Sequence, residues 1–168
     1  MSRLRSSLSA IVSAGILLVA GGCGELPSAS PADSLTVVAA PTRAVRSLSG
    51  DAVVSRVIGP LGGTLSTASG HRIVFPAGAL HAPTEISIRD DATRLGVHLE
   101  PHGLRFAPGR GPVLTLNLRG ADVEGYNALF VVYVDDGGDI LEVLLPDVRP
   151  GSLSASLGHF SGYMVAGN

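Results

Sequence analysis

Beyond residue 50 the chain is a succession of short runs in which apolar and polar side chains alternate. In Thr84-Glu85-Ile86-Ser87-Ile88-Arg89, the threonine and both isoleucines point to one face, and Glu85, Ser87 and Arg89 to the other. Leu114, Leu116 and Leu118 alternate with Thr115, Asn117 and Arg119, and Leu153, Ala155 and Leu157 alternate with serines. A period of two marks a strand with one face buried. Residues 52–58 read as a strand with Val53 and Val57 on one face and Arg56 on the other. Further strands are predicted at residues 72–75, around Val97-His98-Leu99, at 140–145 and at 161–165. Leu129 to Val134 is continuously apolar, which predicts a central strand covered on both faces. No stretch after residue 22 carries a helical stripe. About nine short strands broken by turn signals predict an all-β protein, an antiparallel β-sandwich.

The punctuation between the runs is chemically specific. Gly62-Gly63 lets the backbone enter φ > 0, where a side chain would clash. Pro76 ends a strand because it has no N–H for the ladder; Gly78 then turns the chain back and Leu80 falls on the core. Residues 107–111 form a proline-glycine turn, and Asp135-Asp136-Gly137-Gly138 supplies a hairpin tip.

The N-terminal part follows different rules. In residues 1–22, Arg3 and Arg5 precede an apolar run from Leu8 to Ala20, of signal-sequence length and too short to span a bilayer comfortably. Ala20-Gly21-Gly22 then leads into Cys23, the chain's single cysteine. This arrangement resembles the lipobox of bacterial lipoproteins, in which the signal is cut before a cysteine that becomes acylated. The resemblance implies a protein held to a membrane through lipidated Cys23, outside the cytoplasm in the cell envelope, by acyl chains such as palmitate. An ordinary secretory signal with an incidental cysteine is the alternative. Residues 23–50, rich in serine, alanine and proline, read as a disordered tether, with a stray strand at residues 35–40 as the other possibility. The domain itself is assigned to residues 51–168.

Composition narrows the function classes. An apolar fraction of 45% allows a sizeable core. A net charge of -2 without a basic stripe argues against nucleic acid as a partner. One cysteine excludes an internal disulfide and a cysteine-rich zinc site.

Several segments together resemble a known module. They are Gly59-x-x-Gly62-Gly63, Phe75-Pro76-Ala77-Gly78-Ala79-Leu80, Thr84-Glu85-Ile86-Ser87-Ile88, and Pro101-His102-Gly103-Leu104-x-Phe106 followed by Pro112-Val113. This set, over about residues 52–166, looks like the ZU-five domain of zonula occludens proteins, netrin receptors, ankyrins and many bacterial surface proteins. The resemblance implies a β-sandwich and a role in binding other proteins. Leu61 stands where the family often has an acidic residue, and residues 107–111 lengthen a turn that the family keeps short. The spectrin-binding and receptor-signalling roles of eukaryotic members do not carry over with the fold.

Candidate chemistry is sparse. His98, Glu100 and His102 alternate as metal ligands on one strand face would, but Pro101 interrupts the strand, so no metal is expected there. Asp135, Asp136 and Asp139 with two glycines suit calcium, yet the loop lacks the closing glutamate of an EF-hand and reads as a solvated hairpin tip. No nucleophile elbow, phosphate loop, zincin motif or dinucleotide fingerprint occurs, so neither a turnover enzyme nor a cofactor is expected. The leading reading is a non-catalytic binding or scaffolding module with a protein partner on the cell surface. A second reading is self-processing. In some relatives of the family a His-x-Ser triplet before the last strand cuts itself, and His159-Phe160-Ser161 has that form, with His159 as base, Ser161 as nucleophile and the Phe160–Ser161 bond as the one cut. A third is envelope polysaccharide binding, for which four phenylalanines, three tyrosines and no tryptophan supply few stacking surfaces.

Overall fold

A computed structural model describes residues 35–39, 53–135 and 137–168. These residues hold no helix and twelve strands: β1 (Thr36–Val37), β2 (Val53–Ile58), β3 (Gly63–Ser66), β4 (Arg72–Phe75), β5 (Thr84–Asp90), β6 (Gly96–Glu100), β7 (Val113–Asn117), β8 (Leu129–Val134), β9 (Ile140–Leu144), β10 (Asp147–Arg149), β11 (Ser152–Ser156) and β12 (Gly162–Gly167). The larger sheet runs β2-β5-β6-β12-β8-β9, with β1 also on β12; the smaller runs β10-β11-β7-β4-β3. All pairs are antiparallel, and the two sheets pack face to face as a β-sandwich.

The strand count exceeds the nine or so read from the sequence because β1, β3 and β10 are too short for an alternation to announce them. All three residues of β10 are exposed, and its place is set by pairing with β11. β1 occupies residues that the sequence assigned to the tether, so the tether reading fails there and the alternative strand holds. The reason lies in β12. Its ladder with β6 ends at Met164, opposite Gly96, and after the Val165 N–H, which donates to Leu95 O at 2.8 Å, the rest of that edge would be left unpaired inside the protein. β1 fills the gap: Val38 N–H donates to Val165 O at 2.8 Å, and Leu95 N–H donates to Val38 O at 2.9 Å. Val38 itself is buried.

Between the sheets, the isoleucines of β5 and the leucines of β7 are fully buried, together with Ile73, Val97, Leu99, Val131, Leu153, Tyr163 and Val165. β8 is covered on both faces, as its apolar run predicts. Val131 joins this core, whereas Val132 and Val134 are buried in a second cluster with Met164 and Ala166. β2 keeps the two faces read from the sequence, and its register against β5 decides which of them is buried. Val54 lies opposite Ile88 and Arg56 opposite Ile86, and directly opposed residues share a sheet face. The inward face therefore carries Val54, Arg56 and Ile58, and Val53 and Val57 are left in solvent. Arg56 survives at the margin by donating from Nη1 to Thr64 O at 3.3 Å.

The glycine-proline turns position the β3–β4 end of the smaller sheet. Gly62 has φ +79°, and a Cβ there would strike the Phe75 carbonyl, so only glycine lets these backbones meet. Phe75 then reaches an aromatic cluster, its ring centroid 5.9 Å from Phe160 and 6.3 Å from Phe106; Phe106 and Phe160 lie 5.3 Å apart, all edge to face. Phe160 is inaccessible to solvent. Phe160→Ala is expected to cost about 3–5 kcal/mol, measured by urea unfolding. Val53→Ala on the exposed face is expected to stay within about 0.5 kcal/mol. Equal effects would contradict this placement of β2 and of the cluster.

Candidate functional site

The Phe160 cluster stands directly behind a polar cleft on the outer face of the larger sheet. Because Val97 and Leu99 face inward, His98 and Glu100 of β6 face outward. Arg89 of β5 is the cross-strand neighbour of His98, and Gly162 of β12 its neighbour on the other side. With His102, Asp135 and Ser161 they line a cavity of about 270 Å³.

One wall is made by two segments that the sequence places far apart. Residues 101–106 run beside 158–161: Phe106 N–H donates to Gly158 O at 2.9 Å, Phe160 N–H to Leu104 O at 2.8 Å, and Gly103 N–H to Phe160 O at 3.1 Å. This brings His102 over Ser161, with Nε2 3.1 Å from Oγ. The turn is held from below by Glu100, whose carboxylate accepts the His102 backbone N–H. Ser161 is almost wholly buried, so its hydroxyl faces His102 rather than bulk solvent.

His98 is held differently. Its Nε2 lies 3.0 Å from Asp91 Oδ2. The other oxygen of Asp91 accepts the N–H groups of Thr93 and Arg94 at 2.8 and 2.7 Å and the Thr93 hydroxyl at 3.0 Å. Burial by itself would push this carboxyl up; the hydrogen bonds from His98, Thr93 and Arg94 outweigh it and hold Asp91 at about 2, below the ordinary 3.8. A carboxylate so held keeps its charge and fixes the ring of His98 at the cleft.

The triplet singled out in the sequence is divided. His159 points away from Ser161: its Nε2 is 3.2 Å from Glu142 Oε2, and its ring meets Tyr133 edge-on at 4.9 Å. The Tyr163 hydroxyl donates to the His159 carbonyl at 2.8 Å, and burial, with Glu142 and Tyr133 nearby, pushes that phenol well above the ordinary tyrosine value. Two-residue alternation would have brought His159 and Ser161 to one face, but the backbone bends at Ser161 and breaks it. The histidine beside Ser161 is His102, a pairing between residues distant in sequence for which local spacing carries no signal.

His98, Glu100 and His102 share the cleft as three separate contacts, and no group of three histidine, cysteine, aspartate or glutamate side chains could hold a metal ion among the described residues. In the hairpin tip, Asp135 Oδ1 accepts the Asp139 N–H at 2.9 Å, closing the turn; Asp136 lies outside the described residues, as do Cys23 and residues 1–34.

A scan against protein-family models finds no match to this chain, and a search of curated proteins finds no similar one.

The Asp91 carboxylate links the cleft to acid stability. The unfolded chain takes up a proton there near pH 3.8, the folded chain only near pH 2. Its stabilisation is therefore complete above the higher value and is lost as pH falls through the lower one. Asp91→Asn is expected to be less stable than the native protein at neutral pH and to lose less between about pH 4 and about pH 2, measured by urea midpoints across that range. Parallel curves for the two proteins would contradict the assignment.

Proposed function

We propose that this chain is a lipid-anchored protein of the cell envelope whose β-sandwich is a non-catalytic binding module, with the His98–Ser161 cleft as its contact site for a protein partner. The observation that carries the reading is the cleft itself. It is concave, lined by donors and acceptors of both charges, and built on strands whose positions the core dictates. The His98 ring is held by Asp91, and His102 by Glu100 at its backbone and by Ser161 at its ring, so both meet a partner already ordered. The resemblance to the ZU-five module supports protein binding as the class, and the signal-like residues 1–22 before Cys23 support the anchor. Capture from envelope extract is expected to fall roughly tenfold for His98→Ala and for His102→Ala, the loss of one charge-assisted hydrogen bond each. A glycan array run beside it separates protein from polysaccharide. Undiminished capture by both variants would remove the cleft from the reading.

The second reading, self-cleavage, is favoured by a specific contact and takes a different base. His102 Nε2 stands 3.1 Å from Ser161 Oγ, and the Phe160 carbonyl accepts the Gly103 N–H. In this chemistry His102 takes the Ser161 hydroxyl proton as Oγ attacks the Phe160 carbonyl carbon. The C–N bond breaks, the proton passes to the leaving amine, and an ester joins Phe160 to Ser161 Oγ. Water then hydrolyses the ester to a Phe160 carboxylate and a free Ser161 amine. Intact-mass measurement on the denatured protein tests anchor and cleavage together. The expected product begins at an acylated Cys23, a mass that Cys23→Ser abolishes, and ends at Asn168. Loss of the segment after Phe160 in the native protein, absent from Ser161→Ala and His102→Ala, would establish self-processing instead.

A further inference from the structure

A second cavity, of about 590 Å³, lies apart from the cleft, between β1 and the hairpin of β8 and β9. That is the size of a small-ligand pocket. Leu35, Val37, Arg94, Gly138, Asp139 and Ile140 line it. Its apolar side is continuous with the second core cluster, because Leu35, Val37 and Ile140 pack against Val132, Val134, Met164 and Ala166. Its polar side carries two opposite charges. Arg94 is half-buried, and its guanidinium lies over Gly138, where a Cβ would strike it. The Arg94 backbone is fixed on two sides: its N–H donates to Asp91 Oδ1 at 2.7 Å, and it bridges to Ala39. Yet among the described residues neither the Arg94 guanidinium nor the Asp139 carboxylate has a hydrogen bond or an ion pair. Partial burial weakens the hydration of a charge, so a ligand that brings the missing counter-charge gains by binding there.

A complementary ligand carries an anion for Arg94, a cation for Asp139 and apolar surface for Leu35, Val37 and Ile140. We propose that this cavity binds the headgroup of a phospholipid that bears both a phosphate and a primary amine. The phosphate oxygens accept from the forked donors of the Arg94 guanidinium. The ammonium donates to Asp139, and the glycerol ester end rests on the apolar side. The membrane is the source because of where the cavity lies along the chain. Leu35 is the first described residue after the tether, and residues 24–34 between it and Cys23 span at most about 40 Å fully extended. A chain anchored at Cys23 therefore keeps the cavity close to the bilayer surface. The membrane as source rests on the anchored reading; the match between cavity and headgroup does not.

Hydrogen exchange of the full chain in an uncharged maltoside detergent tests it, with short-chain phosphatidylethanolamine, short-chain phosphatidylglycerol and free phosphoethanolamine as probes. The amides of residues 35–39 and 137–140 are expected to exchange more slowly as phosphatidylethanolamine is added. Phosphatidylglycerol lacks the amine and phosphoethanolamine lacks the apolar part, so each is expected to need a roughly tenfold higher concentration. Arg94→Gln and Asp139→Asn are each expected to raise the phosphatidylethanolamine requirement roughly tenfold, and Asp139→Asn to erase the preference over phosphatidylglycerol. Both substitutions leave the backbone bonds in place, so the strand signal in circular dichroism is expected to be unchanged. In detergent the result reports on the cavity whether or not Cys23 is acylated, and intact mass reports on the anchor separately. No protection by phosphatidylethanolamine, an equal response of the native protein to either other probe, or unchanged binding by either variant would each overturn the proposal.

Discussion

β12 is the strand on which the rest of the structure depends. Every one of its residues is buried, and its backbone has β8 along one edge and β6 and β1 along the other. A buried backbone group without a partner costs as much as a lost hydrogen bond. That constraint explains features with no local cause. It draws residues 35–39 out of a proline-rich segment to finish the edge that β6 leaves open. It also requires glycine at position 96, where a Cβ would strike the Tyr163 carbonyl and the Met164 side chain.

The same strand determines what the cleft can be. Gly162 begins β12 with no side chain to fill the space beside His98, so the outer face of the sheet is hollow at that point. Just before it, Phe160 and Ser161 turn opposite ways. The ring joins Phe75 and Phe106 between the sheets, and the hydroxyl goes to His102. Carboxylates close in the chain hold the two histidines of the cleft, Asp91 at the ring of His98 and Glu100 at the backbone of His102. Local turns supply the orientation, and the packing of β6 against β12 supplies the place.

Strands with one buried face and a polar face were legible because burial on one side leaves a trace of period two. β5, β7 and β11 appear where their alternation puts them, and the hairpin of β8 and β9 turns at Asp135 and its glycines. β2 was legible as a strand but not in its orientation. Its valines and isoleucine permit either face inward, and the register against β5 chooses Val54 and Ile58. His102 was visible as part of a turn and Ser161 as part of a triplet, yet nothing in either segment tells that they meet.

The amino-acid sequence thus determined, by itself, the fold class, most strands and the turns between them. Each of these follows from side-chain periodicity or from the conformational limits of glycine and proline, which act within a few residues. The tertiary structure decided that the possible strand at residues 35–40 forms as β1, which face of β2 is buried, and that His102 rather than His159 attends Ser161. Those outcomes are pairings between segments distant in the chain, for which local spacing carries no signal.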